Sequence, residues 1–218
     1  MTTVILSDKT NTISHDITYG DIVKCLRIIN NLSRGQATKV TRLSRPTISN
    51  VELSSIEMSE RSLRAFALGY GVREKDIHYL YFVANKEKWG YQKLLYEVLK
   101  YYVSNRKNKA HEMRLIPIGE VLKCFRVVNL LRQCEVIEQT GISQQRLSHV
   151  EHGERIISCE NIEKLATAYN VSANDIHRLY DVSRKNRLTY EEIMLEAFNI
   201  LFRHKKERDV SKEVWKLF

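Results

Sequence analysis

Shifted by 99 residues against itself, the chain aligns from 20–107 to 119–206 without an insertion, at about 25 identities. The matched pairs include Gly20/Gly119, Lys24/Lys123, Cys25/Cys124, Arg27/Arg126, Asn30/Asn129, Ser44/Ser143, Ser49/Ser148, Val51/Val150 and Glu52/Glu151. Further on come Tyr70/Tyr169, Val72/Val171 and the Asp-Ile-His triplets that begin at Asp76 and Asp175. Such a repeat reads as a tandem duplication, so the fold must be one that can be built twice in 218 residues, each copy with its own small core.

The periodicity is helical throughout. Eight Gly and two Pro leave few breakers, and apolar residues recur at three and four rather than at two. A first helix near 20–32 and 119–131 is marked by Ile22, Leu26, Ile29, Leu32 and by Val121, Phe125, Val128, Leu131. Ser33 with Gln36 reads as a capping box opening a short second helix; the equivalent Arg132 lacks that cap, so this end is expected to be looser or capped otherwise. The third helix is short and begins at Ser44 or Ser143.

A fourth helix is carried by Leu63, Phe66, Ala67, Tyr70 and by Ile162, Leu165, Ala166, Tyr169, with Ser59 and Ser158 as caps. The fifth buries Ile77, Leu80, Tyr81 and Ile176, Leu179, Tyr180, and Ser172 with Asp175 caps its second copy. A longer helix closes each repeat at 88–103 and 189–204, the latter capped by Thr189 with Glu192. The expected architecture is therefore all-α: an arm over 1–18, a first domain over 19–104, a linker over 105–117, a second domain over 118–204 and a tail helix over 205–218.

The net charge is +9, and it is unevenly spread. Met1–Lys109 holds 18 Lys/Arg against 10 Asp/Glu, and Ala110–Phe218 holds 17 against 16. A basic half favours a polyanion such as DNA or an anionic membrane surface. No run of 18 apolar residues and no basic-then-apolar leader is present, so a cytoplasmic protein that does not span a membrane is expected. The four cysteines show no CxxC spacing; Cys25 and Cys124 read as small buried side chains. His149, His152 and Cys159 lack a fourth metal ligand, and no phosphate loop, nucleophile elbow or paired catalytic carboxylates appear, so neither metal, cofactor nor enzymatic activity is expected.

The stretch Gly141–Gly153, GISQQRLSHVEHG, carries the chemistry. Gly141 permits a tight turn, Ile142 and Leu147 pack two helices together, and Ser143 caps the second of them. Gln144, Gln145, Arg146, Ser148 and His149 then face outward, and glutamine and arginine suit adenine and guanine edges in a major groove. The run Leu131–Gly153 resembles the LSQxxLAxxxGVSxxxISxxExG pattern of the lambda-repressor-like helix-turn-helix, the XRE family of bacterial and phage regulators. The resemblance covers about 60 residues of each repeat and implies double-stranded DNA as the partner. It places Gln133 on a phosphate, bracing the first-turn glutamine.

The first repeat departs from the pattern. Arg34 stands for the helix-opening Gln, Arg42 for the turn Gly, and Leu53-Ser54 for the residues after Glu52. Its third helix offers Arg45, Thr47, Ser49 and Asn50 to bases, while Arg34, Lys39, Arg42 and Ser44 are expected on phosphates, clustered without an intervening acid. The joint reading is a sequence-specific transcriptional regulator, a repressor from a bacterium or mobile element, with two linked and non-identical recognition helices. Alternatives are a mobile-element accessory factor that binds DNA without regulating promoters, or an antitoxin-like module holding a homodimer or protein partner through 88–103, 189–204 and 205–218.

Overall fold

The structure, a computed structural model, describes residues 16–105 and 116–215, with side chains in the last helix as far as Lys206. The expected arm lies almost wholly outside the described residues, as does most of the linker. All regular structure among the described residues is helical. The elements are α1 (Tyr19–Ile29), α2 (Arg34–Thr41), α3 (Arg45–Glu52), α4 (Glu60–Tyr70), α5 (Glu74–Lys86) and α6 (Tyr91–Asn105), then α7 (Ile118–Val128), α8 (Gln133–Thr140), α9 (Gln144–Glu151), α10 (Cys159–Ala168), α11 (Ala173–Asn186) and α12 (Tyr190–Trp215). By packing, described residues 16–28 and 32–98 form one compact unit, and 29–31, 99–105 and 116–215 form another.

Backbone geometry, more than residue type, sets where the helices stop. Asn31, Arg42, Ser54, Gly71 and Lys88 adopt left-handed φ, and so do Leu130, Gly141, Gly153, Asn170 and Arg187, each 99 residues from its counterpart. Three of these ten are glycine; the others carry a cost of roughly 1–2 kcal/mol that the surrounding packing must offset. The first helix therefore ends three residues earlier than its apolar spacing suggests. The amide of Leu32 turns back to the carbonyl of Arg27 at 3.1 Å, and Leu131 does the same to Arg126 at 3.1 Å, the closure of a left-handed C-terminal turn. Lys88 and Arg187 likewise delay the closing helices to Tyr91 and Tyr190.

The caps follow chemistry. Ser33 and Gln36 bond reciprocally, as do Thr189 and Glu192 and Ser172 and Asp175. Arg132 has no acceptor to offer, and Glu135 supplies half a box by taking the Arg132 amide at 2.7 Å. Ser158 does not cap: its hydroxyl accepts from the Asn161 side chain at 2.9 Å instead, whereas Ser59 accepts from the Ser62 amide.

The expected apolar positions within α1, α4, α7 and α10 are buried, as are Cys25 and Cys124, but Leu32 and Leu131, just past the first helix of each half, remain half-exposed, as do Tyr81 and Tyr180. Tyr81 stacks on Tyr19 with centroids 4.1 Å apart. The closing helices turn out to be covered within the chain: Leu94, Leu95, Val98 and Ile193, Met194, Ala197 are fully buried, α12 packing chiefly on α7. These apolar positions are therefore covered in the chain itself. The expected break between a closing helix and a tail helix at 204 is also absent; with no Gly or Pro from 190 to 215, α12 runs on without interruption.

Two contacts fix the recognition segment against the first helix of each half. At Gly20 an added Cβ would sit 2.1 Å from the carbonyl oxygen of Val51, and at Gly119 it would sit 1.6 Å from that of Val150. Only glycine lets the backbones come this close. The second contact is ionic. Glu151, 2% exposed, accepts from Arg126 Nε at 2.5 Å and the second terminal nitrogen at 2.8 Å, while Arg126 also donates to the Leu131 carbonyl at 2.9 Å. Burial opposes the Arg126 charge, but the carboxylate outweighs it and holds the guanidinium above the usual arginine range. Glu52 and Arg27 repeat the arrangement, with Arg27 reaching Leu32 at 2.8 Å.

Both contacts yield stability tests. Arg126→Met leaves Glu151 buried without its partner and should cost about 3–5 kcal/mol, read as a lower urea midpoint. Gly119→Ala gains slightly in helix propensity yet forces α7 off α9, so a net loss of about 2 kcal/mol or more is expected in the same measurement.

Candidate nucleic-acid interface

The interface is built on α2–α3 and α8–α9. Ser143 stands in extended conformation before α9 and accepts from the Arg146 amide at 3.3 Å; Ser44 does the same for Thr47 at 3.2 Å. Each cap satisfies one of the free amides that open a helix, leaving the first-turn side chains to point away from the core. Pro46 in the first turn of α3 has no amide to lose there. Ile48 and Val51 anchor α3, and Leu147 and Val150 anchor α9, all buried.

The turn between the helices is left-handed in both halves, at Gly141 with φ 69° and at Arg42 with φ 58°. Arginine thus takes the conformation that glycine takes in the second half, and its amide closes α2 on Thr38 at 2.9 Å, as that of Gly141 closes α8 on Ile137. The loss of glycine at position 42 changes the energy of the turn and not its path.

Most of the expected readers are at the surface. Arg45 and Asn50 on α3 and Gln144, Gln145 and Arg146 on α9 are exposed. Ser49, Ser148 and His149 are half-buried, and His149 Nε2 lies 3.8 Å from Glu154. The Thr47 hydroxyl is 2.8 Å from that of Ser44, so its first partner is the cap. His152 Nδ1 is bonded to the Ser148 carbonyl oxygen at 2.7 Å. Lys39 and Arg42 are exposed, and among the described residues neither they nor Arg45 enter an ion pair.

Two expected phosphate contacts are held inward. Gln133 donates from Nε2 to Glu151 Oε2 at 2.9 Å, and Arg34 donates from Nε to Glu52 Oε2 at 2.9 Å. Gln133 is therefore placed to brace Glu151, and through it the end of α9, rather than the first-turn glutamine. The basic cluster of the first half does have an acid in it, Glu52, brought in from the last turn of α3. The two locks differ in charge: Arg27, Arg34 and Glu52 sum to +1, whereas Arg126, Gln133 and Glu151 sum to zero. Arg34 keeps 37% of its side chain exposed, so that extra charge is at the surface.

The Arg–Glu pairs were not assigned a role from the sequence. A signal was present, since Arg27/Arg126 and Glu52/Glu151 are both retained across the repeat, but nothing in the spacing said that residues 25 apart would meet.

Residues 133–176 match the family model for the helix-turn-helix, a span that takes in α8, α9, α10 and the first turn of α11. No curated protein and no solved structure matches the chain. No described helix is long and apolar enough to cross a membrane. With its capped recognition helix, left-handed turn and buried anchors, the segment 133–176 is a DNA-binding helix-turn-helix of the XRE kind.

Proposed function

We propose that the chain is a sequence-specific transcriptional repressor that reads double-stranded DNA with α9 and, in its first half, with α3 as a second recognition helix. The observation that carries the second helix is the coincidence of backbone landmarks. Caps at Ser44 and Ser143 and all ten left-handed positions recur at a spacing of 99 residues, and α2 and α3 have the lengths of α8 and α9. A matched scaffold with different side chains implies an asymmetric site. Arg45, Thr47, Ser49 and Asn50 would contact one half of it, and Gln144, Gln145, Arg146, Ser148 and His149 the other.

Phosphates fall to the exposed cations Lys39 and Arg42, to the exposed part of Arg34, and to the helix openings behind Ser44 and Ser143. Gln133 acts in this reading by positioning α9. The first half then supplies more of the salt-sensitive affinity. A cytoplasmic protein acting on chromosomal or mobile-element DNA fits this reading.

A protein-binding role is favoured by one observation. Leu68, Tyr79 and Phe82 are exposed in the first half, 84%, 58% and 64% respectively, where the second half has Thr167, Arg178 and Asp181. In such a role α4 and α5 would supply the partner surface.

Duplex sites selected from random sequence provide the substrate for the test. Arg45→Ala with Asn50→Ala, and separately Gln144→Ala with Arg146→Ala, should each weaken binding by about 10- to 100-fold at fixed salt and relax specificity in different halves of the site. If neither pair lowers affinity, the reading fails; if only the second does, α3 is not a reader. Lys39→Ala should weaken binding to all sequences alike and reduce the slope of log K against log salt by about 0.9.

A further inference from the structure

A cavity of about 500 Å³ opens beside the end of α3, lined by residues of the segment before α1, of the loop after α3 and of α5. None of the side chains assigned to DNA lines it. Its walls are Tyr19 and Tyr81, stacked on each other, with Ile56 and Met58; Asp16 and Glu57 add two exposed carboxylates. Among the described residues neither carboxylate is in an ion pair, although the chain carries a net charge of +9. Two like charges on one cavity repel each other and any anion, and aromatic walls attract a cation through their quadrupole. The volume is within the range of small-molecule sites.

The second half does not repeat this chemistry. Ile118 and Ile156 stand where the first half has Tyr19 and Glu57, and the place of Thr18 is taken by Pro117, which packs over Gly153. The cavity also touches the seam that sets α3. Val51 and Gly20, in backbone contact, both line it, as do Thr18 and Ser54, whose hydroxyls are 2.7 Å apart.

We infer that this cavity is an effector site for a small organic ammonium compound with an apolar or aromatic body, whose binding strengthens the hold of the first half on DNA. The ammonium group would neutralise two carboxylates of a cavity that abuts the end of α3, and the apolar body would fill the space behind its last turn. The DNA coupling rests on the function proposed above; binding of the ammonium compound does not.

The test is a calorimetric titration of the full chain with phenethylamine, in parallel with phenethyl alcohol and phenylacetate. Saturable 1:1 binding is expected for the amine, at least about tenfold weaker binding for the alcohol, and none for the acid. Asp16→Asn with Glu57→Gln should abolish amine binding, and so should Ile56→Trp, which fills the cavity without removing charge; circular dichroism checks that both variants are folded. Saturating amine should tighten binding to the selected duplex by about fivefold or more. Absence of saturable binding, equal binding of phenylacetate, binding retained by both variants, or an unchanged duplex affinity would each overturn the inference. Binding that appears only after removal of residues 1–15 overturns it too, because the chain's own N-terminal segment is then the occupant. A chain that binds the amine but no duplex refutes the DNA reading and leaves the ammonium site standing.

Discussion

A buried carboxylate holds each recognition segment in place. Glu151 sits at the last position of α9 and gathers donors from α7 and from the first residue of α8, while the same arginine reaches the carbonyl of the intervening turn. One acid thus ties three chain segments to the end of the recognition helix. A charge this deeply buried is tolerable only because its lone pairs are met by a guanidinium and an amide, and the same fact makes the loss of either partner costly. The close approach of Gly119 to Val150 depends on the same seam, since α7 must lie against α9 for both contacts to form.

The lock also explains how the halves diverge without losing their backbone. In the first half an arginine at position 34 replaces glutamine, Glu52 still receives its donors, and the exchange adds a positive charge at the surface. The left-handed turn at Arg42 is retained without glycine. Side chains on the frame are then free to change: Arg45, Thr47 and Asn50 against Gln144, Arg146 and His149 on the outer side of the recognition helices, and Tyr19 and Glu57 beside a cavity where the second half has Ile118 and Ile156.

Much of the fold was legible in the residues because helices are encoded locally. Apolar spacing located the helices, and capping boxes at Ser33, Ser172 and Thr189 were readable because both partners lie three residues apart. The failures have local causes as well. Spacing extended the first helix through Leu32 and Leu131, because an apolar side chain just past a left-handed turn looks like one more helical turn. Ser158 carried the right residue type for a cap, and Asn161 took its hydroxyl. The outward cast of the candidate interface at Arg45, Asn50, Gln144, Gln145 and Arg146 followed from the cap and the buried anchors, but the inward turn of Arg34 and Gln133 did not, as it depends on a carboxylate 18 residues away.

By itself the sequence determined an all-helical chain, the order and approximate extent of its helices, a duplicated pattern and the outward faces of α3 and α9, since each of these rests on periodicity or on partners within one helical turn. Only the tertiary structure decided which ionisable groups are spent on the frame and which stay at the surface. It buried the apolar faces of the closing helices within the chain, drew Arg34 and Gln133 onto buried carboxylates, left Lys39, Arg42 and Arg45 without an ion pair among the described residues, and gathered Asp16, Tyr19, Glu57 and Tyr81 around one cavity. The reason is distance along the chain: a charge finds its partner, and a cavity its walls, among residues that periodicity cannot connect.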